Sequence, residues 1–187
     1  VKDTHRIDEM ALASYLATYV EGFAGDLEVR QFPIGQSNPT YQLISGGKKY
    51  VLRKKPPGKL LPSAHAVDRE YRVISALEGT GMPVPPALHF CEDPEVIGTE
   101  FFVMGMVEGR VFHDPSLPGL GPQERDQFYK NFITNLAILH AVDFNAAGLS
   151  DFGRAEGYME RQVARWSKQY EASKTDEIPA MDAIINW

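Results

Sequence analysis

Alternating apolar and polar residues, interrupted by turn residues, occupy Phe32-Pro-Ile-Gly-Gln-Ser-Asn-Pro-Thr-Tyr-Gln-Leu43, then Gly46-Gly47, then Lys49-Tyr-Val-Leu-Arg-Lys54. Polar turn residues follow Phe32, and the alternation resumes over residues 40–45. The Gly46-Gly47 pair is typical of a tight hairpin turn between two strands. The segment therefore predicts three consecutive antiparallel strands, with a polar turn between the first and the second.

The polar turn carries the residue types of an anion-binding loop. Gly35 permits positive φ and a close backbone approach, and Ser37 and Asn38 add short hydrogen-bond donors. Arg53 lies near the end of the third strand, where it can bring a cation to the same place. We therefore predict that these four residues contact a phosphate group. Taken without the other residues, the turn with Gly35 has an alternative interpretation, a hairpin tip that only reverses the chain and binds nothing.

Composition limits the classes of protein that need be considered. The chain has 187 residues, of which 43% are hydrophobic and 24% charged, which suits one or two small globular domains. A net charge of −6 argues against nucleic acid as the main partner. The single cysteine, Cys91, excludes an internal disulfide and a cysteine-based zinc site and favours a reducing compartment. No apolar run approaches the roughly 20 residues that span a bilayer, so we expect a cytoplasmic protein without a membrane partner.

The order of predicted elements separates strands from helices. The first half is predicted to hold two helices, over 8–20 and 66–78, and five strands, over 27–32, 40–45, 49–54, 87–91 and 99–106. From Gly109 onward the pattern is helical, with helices predicted over 123–142, 154–173 and 181–187. On the second of these we expect Trp166 and Tyr170 to be buried. Strands followed by helices predict an α+β chain.

Five motifs follow one another in a fixed order: Gly35-Gln-Ser-Asn38, Val51-Leu-Arg53, Asp68-Arg-Glu-Tyr71, Phe102-Val-Met-Gly-Met-Val-Glu-Gly109 and Leu139-His-Ala-Val-Asp143. Together they resemble the aminoglycoside phosphotransferase family of small-molecule kinases. Through Arg53-Lys-Lys-Pro-Pro-Gly58 and Gly153-Arg-Ala-Glu-Gly-Tyr158 the chain looks most like the kinase-like domain that some acyl-CoA dehydrogenases carry at their N-terminal side. The resemblance implies a protein-kinase-like two-lobe fold. Residues 1–108 would form an ATP-binding lobe with an antiparallel five-stranded sheet, and residues 109–187 the first part of a helical lobe.

The resemblance also implies roles for individual residues. Arg53 would hold the α and β phosphates of ATP, and Glu70 would pair with it and fix its direction. Most kinases have lysine in the position of Arg53, so either arginine does the same work differently or Lys54 takes part. The segment 101–109 would be the edge strand and hinge, with the carbonyl of Gly105 and the N–H of Val107 facing an adenine edge.

The residues that would carry out catalysis are not found between residues 1 and 187. Asp151-Phe152-Gly153 spells a magnesium-binding triplet of protein kinases, but the spacing of His140 and Asp143 does not fit the catalytic loop that precedes it, and we interpret the match as a coincidence. In the resembling family a His-Gly-Asp loop supplies the catalytic base and a later Asp holds magnesium. We therefore assign no catalytic or metal-binding residue in this chain, expect both beyond Trp187, and interpret the chain as a fragment.

The expected function is an ATP- and Mg²⁺-dependent small-molecule kinase that transfers the γ-phosphoryl group to a hydroxyl, with this fragment alone inactive. A hydroxyacyl-CoA or another hydroxylated metabolite is favoured as acceptor over an aminoglycoside. The alternative is a non-catalytic nucleotide-binding or regulatory pseudokinase module, and a third possibility is an acidic α+β domain that binds no nucleotide. The sequence leaves the oligomeric state open.

Overall fold

The computed structural model describes residues 7–32, 38–56, 65–154 and 156–187. Ten elements follow one another along the chain: α1 Glu9–Tyr19, β1 Leu27–Gln31, β2 Thr40–Ser45, β3 Lys48–Lys54, α2 Val67–Leu77, β4 Ala87–Cys91, β5 Phe101–Gly105, α3 Pro122–Ala141, α4 Tyr158–Ser173 and α5 Pro179–Asn186. The chain divides into two compact units, Val1–Asp143 and Phe144–Trp187. This division by compactness does not test the lobe boundary predicted after residue 108, which stays a prediction.

The first unit is built on one five-stranded sheet in the order β1-β2-β3-β5-β4. Every neighbouring pair is antiparallel. Gly46 and Gly47 join β2 to β3 with φ values of +57° and +76°, and a two-residue turn with positive φ at both positions matches the twist of the strands that it connects. The predicted α+β class with an antiparallel five-stranded sheet is confirmed.

Helix α1 covers one face of this sheet. It begins after Asp8, whose side chain accepts hydrogen bonds of 3.0 Å from the backbone N–H groups of Met10 and Ala11 and so caps the helix. Its residues Leu12 and Leu16 are fully buried. They belong to a core cluster that also holds alternate residues of the strands: Tyr41, Leu43, Tyr50, Leu52, Cys91, Phe101 and Val103. Because successive strand residues point to opposite faces, the residues between these are free to face the other side.

Helix α2 lies on that other face. Its residue Tyr71 stacks on Phe90 of β4, with ring centroids 5.6 Å apart, and contacts Phe102 of β5 at 5.9 Å. Phe102 lies between two residues of the α1-side core, Phe101 and Val103, so it points away from α1. The packing of Tyr71 therefore places α2 on the face of the sheet opposite α1, which is the α2 face.

The second unit contains α4 and α5 and differs from the prediction at its start. Helix α4 begins at Tyr158 rather than at residue 154, because Gly157 before it has a left-handed backbone with φ +60°. The expectation that Trp166 is buried is wrong: its exposed fraction is 63%. Trp166 and the half-buried Tyr170 line an open apolar groove between α4 and α5, and within the described part of this unit no element covers that groove.

None of the helices in the described ranges combines the length and the apolar character that a membrane span requires.

Candidate nucleotide-binding site

An arginine–glutamate pair lies on the α2 face of the sheet. Arg53 comes from the end of β3, and Glu70 comes from the first turn of α2. The Nε atom of Arg53 donates to Oε2 of Glu70 at 2.8 Å, and Nη2 donates to Oε1 at 3.4 Å. The two side chains are 30% and 36% exposed. The predicted pairing of Arg53 with Glu70 is confirmed, and its role in binding phosphate stays a prediction.

The arginine keeps hydrogen-bonding capacity beyond this pair. Strand register places Thr40 beside Arg53, and Nη1 donates to the Thr40 hydroxyl at 3.3 Å. A guanidinium group has five N–H groups. Within the described part of the chain these bonds use one N–H on each of the three nitrogens, so one N–H on Nη1 and one on Nη2 remain for a ligand. Two donors on one planar cation match the oxygens of a phosphate group.

Asn38 joins the predicted loop to the pair. Its Nδ2 atom donates to Glu70 Oε1 at 2.6 Å, and its backbone carbonyl accepts a bond of 3.1 Å from the Thr40 hydroxyl. Asn38 is 4% exposed. In the structure the Asn38 side chain is bonded to Glu70. The phosphate contact predicted for Asn38 stays a prediction. The other two loop residues of the prediction, Gly35 and Ser37, lie outside the described residues.

His65 is a member of this cluster that the sequence analysis missed. Its Nδ1 atom lies 2.9 Å from Oδ1 of Asn38. His65 lies two residues before α2 and has a left-handed backbone with φ +60°. An isolated histidine at a helix entrance gives no periodic signal in the sequence. The contact joins side chains 27 positions apart, and it appears only when the chain is folded.

Lys54 occupies the opposite face of the sheet. Its Nζ lies 5.8 Å from the centroid of the Tyr41 ring, which belongs to the α1-side core, and Lys54 is 5% exposed. Burial lowers the pKa of the Lys54 ammonium and raises the pKa of Tyr41 to about 12. Of the two cations that the sequence offered for one position, Arg53 is therefore the one on the face of Glu70.

The predicted hinge follows the end of β5. The expectation that this segment is an edge strand is wrong, because β5 pairs with β3 on one side and with β4 on the other. The Gly105 N–H donates to the Pro86 carbonyl at 2.9 Å, whereas the Met106 N–H donates to the Lys49 carbonyl on the other side at 3.4 Å. By the alternation of extended backbone, the N–H of Val107 is expected on the side of Pro86. Val107 is 65% exposed. That the Gly105 carbonyl and the Val107 N–H contact adenine stays a prediction.

Replacing Gly105 with alanine is expected to lower the free energy of unfolding by about 1 kcal/mol, the lower range for overpacking. A Cβ at Gly105 would lie 3.1 Å from Cδ of Pro86, whose ring has little freedom to move away. Urea denaturation measures the effect. Gly109→Ala is the matched control, since a Cβ there meets nothing within 4 Å. Equal stability of the two variants would contradict the close approach.

Among the described residues, no group of three or more His, Cys, Asp or Glu side chains lies close enough together to hold a metal ion. Asp151 of the Asp-Phe-Gly triplet is therefore not a member of such a group.

Comparisons with known proteins extend over nearly the whole chain. The family model described as "Phosphotransferase enzyme family" matches residues 28–187. A crystal structure of a Ralstonia eutropha protein described as a candidate aminoglycoside phosphotransferase superposes with a TM-score of 0.82 and is 47% identical. The match covers 97% of this chain and 53% of that one.

Curated relatives carry acyl-CoA dehydrogenase names. Acyl-CoA dehydrogenase family member 11 of Gallus gallus is 51% identical over 191 residues, which are 100% of this chain and 24% of the relative. The Homo sapiens protein of the same name is 44% identical over 98% of this chain and 24% of its own length. Acyl-CoA dehydrogenase family member 10 of Mus musculus is 45% identical over 100% of this chain and 18% of its own. The chain thus spans about a quarter or less of these relatives.

Proposed function

Because the chain belongs to the phosphotransferase enzyme family, as its motifs indicated, we propose that it binds ATP for a small-molecule kinase that phosphorylates a hydroxyl group. Similarity to the solved Ralstonia eutropha structure, together with the five-stranded antiparallel sheet, confirms the kinase-like α+β fold. The observation that carries the proposal is the Arg53–Glu70 pair on the α2 face, in which the contacts among the described residues leave one N–H on each terminal nitrogen of the arginine.

Each member of the pair has a separate task in this proposal. Arg53 binds phosphate oxygens of ATP through the N–H groups of its planar guanidinium. Glu70 holds the guanidinium in place, so that its remaining N–H groups keep one direction. Phosphoryl transfer depends mainly on such positioning and on electrostatic stabilisation of the charged phosphates. Mg²⁺, when bound, neutralises charge on the phosphate oxygens; no described residue is assigned to it.

The acceptor that we propose is a hydroxyacyl-CoA. Support comes from the names of the relatives, all acyl-CoA dehydrogenase family members, because a kinase-like segment in such a protein would act on related acyl chains. The solved structure's description names an aminoglycoside phosphotransferase, which makes an aminoglycoside the second acceptor to be tested.

The test begins with calorimetric titration of the protein with ATP and MgCl₂. Protein expressed from the complete native coding region is then incubated with ATP and either hydroxyacyl-CoA esters or aminoglycosides, and ADP release and phosphorylated product are measured. We expect ATP binding and ADP release that depends on a hydroxyacyl-CoA. ATP binding without transfer to any acceptor would favour the non-catalytic nucleotide-binding module, for which the arginine in a lysine position is the specific observation. Absence of ATP binding would overturn the proposal.

A further inference from the structure

A chain of hydrogen-bonded side chains connects His65 to Arg53. His65 Nδ1 and Asn38 Oδ1 are 2.9 Å apart, Asn38 Nδ2 and Glu70 Oε1 are 2.6 Å apart, and Glu70 Oε2 and Arg53 Nε are 2.8 Å apart. We propose that His65 is a positioning residue: through Asn38 it fixes the Glu70 carboxylate and so directs Arg53 toward a nucleotide phosphate, with the two N–H groups that have no partner among the described residues. This inference rests on the proposed role of Arg53 in ATP binding.

The donors and acceptors in this chain have only one consistent assignment. The ionised carboxylate of Glu70 accepts hydrogen bonds and donates none. Asn38 must therefore present its NH₂ group to Glu70, and this orientation leaves the amide oxygen facing His65. That oxygen needs a donor, so Nδ1 of His65 carries a hydrogen. A hydrogen on Nδ1 of His65 thus supports the orientation in which Asn38 donates to Glu70.

Because Asn38 is buried, its side-chain amide depends on His65 to keep this orientation. Asn38 is 4% exposed, so its oxygen has little access to water as a substitute for His65. A buried polar atom that loses its hydrogen-bond partner destabilises the folded state, because water does not replace the partner. Without the histidine donor, rotation of the amide would turn its oxygen toward the negatively charged Glu70. His65 therefore opposes a rearrangement that would release the carboxylate from its present position.

The backbone at His65 supports a specific role for this residue. A non-glycine residue with φ +60° is uncommon, and such strain persists where the surroundings hold it in place. The His65 carbonyl accepts a hydrogen bond from the N–H of Val67, the first residue of α2. Main chain and side chain of His65 thus both engage the part of the molecule that carries Glu70.

Two uncharged substitutions test whether the N–H donor of His65, and not the rest of its side chain, supports ATP binding. His65→Asn keeps an N–H donor at the same branch of the side chain, and asparagine tolerates the left-handed backbone. His65→Gly removes the donor and also tolerates that backbone. We expect His65→Gly to weaken ATP binding about tenfold, the effect of losing roughly one hydrogen bond to a charged network. We expect His65→Asn to remain within about threefold of the wild-type affinity, the rescue that the donor implies.

Calorimetric titration with ATP and MgCl₂ is combined with urea denaturation and ¹⁵N NMR of the His65 ring. A merely structural role would lower the stability of His65→Gly and leave its ATP affinity unchanged, which would overturn the inference. Equal loss of affinity in both variants would also overturn it, as would an unprotonated Nδ1 in the NMR spectrum. If the wild-type protein itself fails to bind ATP, the proposed function is wrong. If the wild type binds ATP and His65→Gly binds it equally well, the proposed function stands and only the inference about His65 is wrong.

Discussion

Arg53→Ala is expected to reduce ATP affinity by at least about 100-fold, since hydrogen bonds to charged groups contribute roughly 1.5–3 kcal/mol each and two are lost. Two N–H groups of Arg53 remain for the phosphates in the described structure. Their removal also leaves the Glu70 carboxylate without its cation, so a negative charge would face the incoming phosphates. Calorimetric titration with ATP and MgCl₂ measures the loss.

The chain offers a matched control for this substitution. Arg30 also forms a two-bond pair with a glutamate, at 2.6 and 3.0 Å from Glu28. This pair lies on the edge strand β1, where the Arg30 side chain is 61% exposed. Arg30→Ala changes the net charge by the same amount and is expected to leave ATP affinity unchanged. Unaltered affinity in Arg53→Ala, or an equal loss in both variants, would contradict the phosphate site.

Leu16→Ala is expected to lower the free energy of unfolding by about 2–5 kcal/mol, the range for truncating a buried leucine. Leu16 is fully buried and packs in the core between α1 and the sheet. The substitution removes apolar contacts and leaves a cavity under α1. A single domain is stabilised by only about 5–15 kcal/mol, so the loss would be a large part of the total. Urea denaturation followed by circular dichroism measures it.

Met10→Ala on the same helix is the control. Met10 is 83% exposed, and alanine has the higher helix propensity, so we expect a change within about 0.5 kcal/mol. A loss in Leu16→Ala no larger than that in Met10→Ala would show that α1 does not cover this core in solution.

The sheet could be predicted closely from the sequence because burial follows the period of the strands. β2 was predicted with its observed bounds, and its burial alternates strictly from Thr40 to Ser45. β4, Ala87–Cys91, was also predicted with its observed bounds. The strand predicted over 99–106 is shorter as β5, Phe101–Gly105. Turn residues limit strands only approximately, since the end of a strand depends on which neighbour continues to pair with it.

The site was predicted in part. The resemblance implied the Arg53–Glu70 pair, because a family pattern relates residues that no local period connects. The resemblance did not imply that Asn38 would be a partner of Glu70, or that His65 would be a partner of Asn38. Trp166 was misjudged for a related reason: helical spacing shows which residues share a face, but not whether another element covers that face. Its exposure follows from packing, which sequence periodicity does not report.

The opposite orientation of Arg53 and Lys54 matters for anyone who aligns this chain with other kinases. A one-residue gap placed between β2 and β3 brings Lys54 into the column that kinases fill with lysine, and such an alignment gains an identity. The matched lysine would be the one buried against Tyr41, on the wrong side of the sheet. A motif search that requires lysine would overlook Arg53 or transfer its role to its neighbour. The glutamate in the first turn of α2 is the safer anchor, because Glu70 contacts only one of the two cations in the described structure.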